Sequence, residues 1–235
     1  KGGIKIDGVD IREFSLHDLR QNIAVVFQDN FLFDGTIKEN ILLGKPDATD
    51  EEVAQALESA CLTDFIGSLE KGVETYIGER GILLSGGQKR RLALAMELVS
   101  SPRILLCDEV TSGLDPRSER EIVQLLHQLS MKDGRIVISV THSLAQMELY
   151  DSIIVMVRGN LAYHGSPETM VHYFGEQDFE NVYPKLAMRE PDEWRQSWLK
   201  HRVDYYQRLE RKHLAKFSAA GLQPPSPHPR GDEED

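Results

Sequence analysis

The sequence predicts an α/β fold with a largely parallel sheet. Three apolar runs rich in β-branched residues predict buried strands over residues 23–29, 103–109 and 135–142. Helical patterns separate these runs, and strands that alternate with helices are typical of parallel sheets. In such sheets ligands bind beyond the carboxyl ends of the strands. The polar residues predicted at this edge are Gln28, Asp108, Glu109 and His142.

Composition limits the classes of function. The chain has 235 residues, of which 40% are hydrophobic and 28% charged, as in ordinary globular proteins. A formal net charge of −11 disfavours a nucleic-acid partner. Cys61 and Cys107 stand apart in apolar runs, which does not predict a disulfide framework. No run reaches the ~18 apolar residues of a membrane span. Because the sequence starts at Lys1 rather than Met, we expect a segment of a longer chain.

Capping residues mark two of the predicted helices. Thr49 and Glu52 have the spacing of a capping box. The inner face of the helix after them is predicted to hold Val53, Leu57, Ala60 and Cys61. Asp115 followed by Pro116 predicts an N-cap and the first position of a later helix.

The last third of the chain changes in character. The run IIVMVRGNLAYHG predicts a β-hairpin that turns at Gly159-Asn160. Residues 191–217 predict a helix with Trp194 and Trp198 on one face. This face packs on the domain or, alternatively, the helix lies on a membrane surface. Residues 218–235 are proline-rich and then acidic, which predicts disorder.

The stretch LLSGGQKRR, residues 83–91, predicts an anion site. Two glycines after a serine let the backbone approach an anion, and a helix that starts there points free N–H groups at it. The alternative is a plain turn that caps the helix. Lys89, Arg90 and Arg91 are expected to be solvated or structural rather than catalytic. The loop G-x-x-x-x-G-K-[ST], which wraps nucleotide phosphates, does not occur in the 235 residues.

Five motifs in a fixed order resemble those of the nucleotide-binding domain of ATP-binding-cassette (ABC) transporters. They are VVFQD (the Q-loop), LLSGGQ (the signature), ILLCDE (Walker B), SGLD (the D-loop) and VTH (the switch histidine). The resemblance covers residues 1–175 and implies a P-loop NTPase (ABC ATPase) core with an α-helical subdomain at about 34–98. A C-terminal helical extension, residues 176–217, and the disordered tail would follow it.

The resemblance also implies a site for ATP and Mg²⁺ that two such domains share, head to tail. Asp108 and Gln28 would hold Mg²⁺, and Glu109 would polarise the attacking water, with His142 and Gln28 as further catalytic residues. The residues that would contact the ATP held by the partner domain are Ser85, Gly86, Gly87, Gln88 and, across the dimer, Asp115. A helix cap, a turn or a strand end is the plain alternative for each of these residues.

The partners implied by the resemblance are a second nucleotide-binding domain and the transmembrane domains of an exporter. The complex would lie at the cytoplasmic face of the plasma (inner) membrane. Residues 31–41 and the surroundings of Glu79 resemble exporters, whereas DEVTSGLDP and NLAYHGSPETMVHYF resemble the G-type branch. The alternatives are a soluble ABC ATPase and a non-catalytic regulatory partner that lends only its signature. Because the phosphate-wrapping loop is expected just before Lys1, residues 1–235 by themselves are expected to hydrolyse no ATP.

Overall fold

A computed structural model describes residues 2–28, 31–144 and 146–219. This part of the chain forms two compact units, which are unit 1 (residues 2–5 and 9–149) and unit 2 (residues 6–8 and 150–219). The strands and α-helices in chain order are β1 (Lys5–Ile6), β2 (Val9–Asp10), α1 (Leu16–Asn22), β3 (Ile23–Val26), α2 (Ile37–Leu42), α3 (Asp50–Ser59), α4 (Thr63–Gly67), α5 (Gly86–Leu98), β4 (Ile104–Asp108), α6 (Pro116–Asp133), β5 (Ile136–Val140), β6 (Ile153–Val157), β7 (Asn160–Gly165), α7 (Pro167–Phe174), α8 (Val182–Leu186) and α9 (Pro191–Ala219). Short 3-10 helices lie at Ile11–Glu13, Gly72–Glu74, Glu79–Gly81, Met147–Leu149 and Phe179–Asn181.

Unit 1 is built on a parallel sheet with the strand order β3-β4-β5, so the predicted α/β class and parallel sheet are confirmed. The pairing of Asp108 with Val140 aligns the carboxyl ends of β4 and β5. All three strands are shorter than predicted, and β3 ends at Val26, β4 at Asp108 and β5 at Val140. Gln28 and His142 therefore lie in the segments that follow these strands.

The two faces of this sheet differ in burial. Leu105 and Cys107 of β4 are 0% and 2% exposed and share a core with residues of α5 and α6. Burial raises the pKa of the Cys107 thiol to about 12, which keeps it protonated. On the other face, Ile136, Ile138 and Val140 of β5 are each more than half exposed. The prediction of a fully buried strand is wrong here, because alternate residues of β5 lie on a face of the sheet that is exposed among the described residues.

The predicted helix caps are confirmed. Thr49 and Glu52 form the capping box of α3, and Asp115 caps α6 with Pro116 in its first turn. The prediction that Cys61 faces inward is wrong, because this residue is exposed. It lies beyond the last residue of α3 with a left-handed backbone, φ 53°, so it does not continue the buried face of the helix.

Unit 2 contains an antiparallel hairpin of β6 and β7. Its turn consists of Arg158 and Gly159, whose φ values are 46° and 81°. Positive φ at both positions is what a two-residue type I′ turn requires. Asn160 pairs with Val157, so the turn lies one residue before the predicted Gly159-Asn160.

Helix α9 packs within unit 2 through its aromatic face. Trp194 and Trp198 are buried in a cluster with Tyr163 and Phe174. The rings of Phe174 and Trp194 meet edge to face at 5.1 Å between centroids. The Trp194 indole N–H donates to the Leu186 carbonyl at 3.0 Å. Two placements of this helix were predicted, packing on the protein and lying on a membrane surface. The buried side chains of Trp194 and Trp198 show the first of these.

The C-terminal end of α9 reaches Ala219. The rest of the tail that the sequence predicts as disordered, residues 220–235, lies outside the described residues. Within the part of the chain that the structure describes, no helix has the length and apolar character needed to cross a membrane.

Candidate functional site

Glu109 and His142 meet at the carboxyl edge of the sheet in unit 1. His142 Nε2 lies 2.7 Å from Glu109 Oε1, and the Glu109 side chain is 22% exposed whereas that of His142 is 81% exposed. The Glu109 backbone N–H donates to the carbonyl of Val140, the last residue of β5, at 2.9 Å. Glu109 has φ 47°, a left-handed conformation that costs a non-glycine residue about 1 kcal/mol. The position of the Glu109 carboxylate is therefore set by this backbone conformation and by the contact with His142.

Gln28 is linked to the same edge through Ser112. Gln28 Nε2 donates to Ser112 Oγ at 3.4 Å, and the Ser112 backbone N–H donates to the Glu109 carbonyl at 2.9 Å. Asp108 is the last residue of β4 and is exposed. The structure thus gathers Gln28, Glu109 and His142 around one edge, with Asp108 next to Glu109 in the chain.

The N-terminus of α5 is closed by a capping box. Ser85 Oγ accepts from the Gln88 backbone N–H at 3.3 Å, and Gln88 Oε1 accepts from the Ser85 backbone N–H at 2.9 Å. The side chains of Ser85 and Gln88 thus have a structural role in the helix cap. Ser85 is exposed, so its hydroxyl can also face a ligand.

Gly86 and Gly87 pack closely against the segment that leads into α6. A Cβ atom on Gly87 would lie 3.2 Å from Ser118 Oγ, and one on Gly86 would lie 3.4 Å from Leu114 Cδ2. Ser118 Oγ donates to Asp115 Oδ2 at 2.6 Å. This hydrogen bond is the main cause of the lowered pKa of the Asp115 carboxyl. Gly86, Gly87 and Asp115 thus lie near one another at the starts of α5 and α6.

A metal ion at this edge would receive few ligands from the protein. Among the described residues, no group of three or more His, Cys, Asp and Glu side chains could hold a metal ion. Mg²⁺ is usually held by one or two carboxylates together with the phosphates of its substrate. The exposed Asp108 carboxylate and the Gln28 amide contain oxygen atoms of the kind that Mg²⁺ prefers.

Sequence reasoning missed the contacts of Arg90. This residue was expected to be solvated or structural, and it is structural, because it is 9% exposed. Its guanidinium donates to the carbonyls of Gln28 and Ser112. The available signal was helical spacing, since Arg90 lies four residues before the fully buried Leu94 and therefore on the same face of α5.

Asn40 was also missed as an organising residue. It is 1% exposed, and its amide donates to the carbonyls of Phe33 and Thr36 at 3.1 and 2.9 Å. Its Oδ1 accepts from the Phe33 backbone N–H at 2.8 Å. Asn40 thereby fixes a loop on which Phe31 and Phe33 are about half exposed. Their rings meet edge to face at 4.9 Å.

Comparison with known proteins identifies relatives over most of the chain. The family described as "ABC transporter" matches residues 1–112. A putative multidrug export ATP-binding/permease protein of Staphylococcus aureus (strain NCTC 8325) is 44% identical over 182 residues, which are 77% of this chain and 31% of that protein. The putative multidrug export ATP-binding/permease protein YgaD of Bacillus subtilis is 41% identical over the same shares. The chain therefore spans under a third of the length of these curated relatives.

A solved structure shares the fold. The structure of a bacterial Atm1-family ABC exporter with ATP bound matches with a TM-score of 0.67 and 38% identity. The match covers 80% of this chain and 32% of the exporter chain. At this identity the likeness extends beyond the fold to the sequence.

Proposed function

We propose that this chain carries a nucleotide-binding domain of the ABC transporter family and that it binds and hydrolyses MgATP to power export across a membrane. The observation that carries this proposal is the contact between Glu109 and His142 at the sheet edge, next to Gln28 and Asp108. This edge is where parallel α/β sheets bind their ligands. The relatives are named as multidrug export proteins, which supports export as the direction.

Glu109 is the proposed base. Its carboxylate accepts the proton of the attacking water, and the 2.7 Å contact with His142 holds it in one orientation. His142, which is largely exposed, is in reach of both Glu109 and a phosphate placed beyond the strand ends. Asp108 and Gln28 are the proposed oxygen ligands of Mg²⁺, which neutralises charge on the β- and γ-phosphates when bound.

The signature at the start of α5 is proposed to face the ATP of a second domain. The Ser85 hydroxyl and the first backbone N–H groups of α5, at Gly86 and Gly87, are donors suited to a phosphate. Gln88 supports this end of α5 through the capping box, and Asp115 caps the neighbouring start of α6. The second domain supplies the loop that wraps the phosphates, so two domains complete each site.

The loop held by Asn40 is the proposed contact with transmembrane domains. Its exposed rings, Phe31 and Phe33, form an apolar surface, which is typical of a protein–protein contact. Tyr76 is also half exposed and donates its hydroxyl to Asp34 of the same loop, close in the chain to Glu79. We place this surface at the cytoplasmic face of the membrane.

The chain combines sequence features of two branches of the family. We assign its first half to the exporter branch, and we assign DEVTSGLDP and NLAYHGSPETMVHYF to the G-type branch.

The proposal is tested on the full natural polypeptide that contains this sequence. The unaltered protein is expected to hydrolyse ATP in a Mg²⁺-dependent reaction. Glu109→Gln is expected to lower kcat about 100-fold or more while ATP binding persists, because the base is lost and the shape is kept. Glu58→Gln, which changes an exposed carboxylate on α3, is the matched control and is expected to keep full turnover.

Other results would contradict the proposal in distinct ways. Turnover that survives Glu109→Gln would remove Glu109 as the base. ATP binding without hydrolysis in the unaltered protein, together with activation of a second ATPase domain, would favour the regulatory partner that lends a signature. Hydrolysis by a natural polypeptide that neither contains nor binds transmembrane domains would favour the soluble ABC ATPase.

A further inference from the structure

Arg90 connects three segments of unit 1. Within the described residues it is a buried charged side chain, 9% exposed, on helix α5. Its Nη1 donates to the Gln28 carbonyl at 2.6 Å and to the Phe27 carbonyl at 3.3 Å, and its Nη2 donates to the Ser112 carbonyl at 3.4 Å. One guanidinium therefore spans the segment after β3 and the turn after β4.

The carbonyls that Arg90 contacts belong to parts of the proposed site. The Ser112 backbone N–H closes the turn that starts at Glu109, at 2.9 Å from the Glu109 carbonyl. Gln28 is joined to Ser112 a second time through its own side chain, at 3.4 Å. Arg90 thus links α5 to Gln28 and to the turn that carries Glu109.

We propose that Arg90 is a positioning residue that makes the Gln28 segment and the Glu109 turn follow the signature helix α5. This inference rests on the proposed function. A guanidinium is planar and holds several acceptors at once in a fixed geometry. Because a buried cation needs its partners, the bridge is maintained rather than exchanged for water. When Ser85 and its neighbours at the start of α5 engage a phosphate, Glu109 is brought into place in the same movement.

Arg91 provides a matched control in the next position of the helix. Its guanidinium is also partly buried, but it pairs with Glu121 of α6. Loss of Arg91 therefore removes a cation and a packing contact from α5 and leaves the bridge to Gln28 and Ser112 in place. A merely structural role for Arg90 would make the two arginines equivalent.

The experiment compares Arg90→Met, Arg90→Lys and Arg91→Met in the full natural polypeptide. Hydrogen exchange is measured for peptides over residues 25–28 and 108–114, and ATP turnover is measured on the same preparations. Arg90→Met is expected to speed exchange in both peptides and to lower kcat at least tenfold with little change in KM. Arg90→Lys is expected to recover only part of both losses, because one ammonium group cannot reach both sides of the bridge. Arg91→Met is expected to lower thermal stability without changing exchange in these peptides or kcat.

Each of the remaining outcomes tests either the positioning role of Arg90 or the proposed function. Unchanged exchange in Arg90→Met would overturn the positioning role whatever the activity. Faster exchange with an unchanged kcat would show that the bridge has no part in catalysis, which overturns the inference. Absence of ATP turnover in the unaltered protein would instead overturn the proposed function, and the exchange data would still decide whether Arg90 positions the two segments.

Discussion

His142 Nε2 lies 2.7 Å from Glu109 Oε1, although the two residues are 33 positions apart in the chain and follow different strands. Pairing between β4 and β5 brings them together, since the Glu109 backbone N–H bonds to the last carbonyl of β5. This contact orients the carboxylate that we propose as the base.

The pair is expected to act as one unit in catalysis. Glu109→Gln and His142→Ala should each lower kcat about 100-fold. The kcat of the double variant should be no lower than that of the less active single variant. Residues that work through one contact give non-additive losses. Single-turnover hydrolysis in the three variants measures this coupling, and additive losses would show that the two residues act separately.

Ser85 and Thr49 allow a test of the signature against its own helix cap. Both residues head capping boxes, on α5 and α3 respectively. Replacement of either by alanine is expected to cost about 1 kcal/mol in the free energy of unfolding, because a cap hydrogen bond is lost. Ser85→Ala should in addition lower ATP turnover about tenfold or more. Equal ATP turnover in the two variants would show that Ser85 acts only as a helix cap and does not contact ATP.

The stability of unit 1 is expected to depend on pH through Glu97. Burial raises the pKa of this carboxyl above its ordinary value of 4.5, against a hydrogen bond from the Val25 backbone N–H. Between the ordinary and the raised pKa the folded state binds more protons than the unfolded state, so stability falls as pH rises through this window. Glu97→Gln has no carboxyl to ionise at this position and therefore does not lose stability in this way. The free energy of unfolding of Glu97→Gln minus that of the unaltered protein should increase with pH.

Urea unfolding over a pH series that starts at about 4, below the ordinary pKa of 4.5, and runs to about 8 measures the Glu97 effect. The exposed Glu58→Gln on α3 makes the same change in charge and serves as its control. A stability difference for Glu97→Gln that stays constant over the series would contradict the effect.

Unit 2 offers a selective stability test, because both tryptophans of the chain lie in α9. Trp194→Ala should lower the free energy of unfolding of unit 2 by about 3–5 kcal/mol, since a buried indole and its hydrogen bond to Leu186 are lost. The fluorescence of Trp198 follows this transition in urea. The exposed Lys200→Ala on the same helix should change it by no more than about 0.5 kcal/mol, and equal effects of the two changes would argue against the packing of Trp194.

Local patterns of the sequence determined the elements and the order of the motifs. Capping residues located the starts of α3 and α6, and apolar runs located the three strands of the parallel sheet, because caps and periodicity act within a few residues. The polar residues of the proposed site were predicted from their place after these strands. The predictions were wrong where the backbone adopts positive φ values, which the residue pattern did not indicate. This occurs at Cys61 and in the hairpin turn before Asn160.

Tertiary packing alone decided which side chains meet. The sequence places Glu109 and His142 after different strands, and only the register of β4 with β5 brings them within hydrogen-bond distance. Arg90 reads as one cation of a basic run, yet the fold buries it against the carbonyls of Gln28 and Ser112, 62 and 22 residues away in the chain. A contact between distant segments depends on how whole elements pack, which short-range periodicity does not encode.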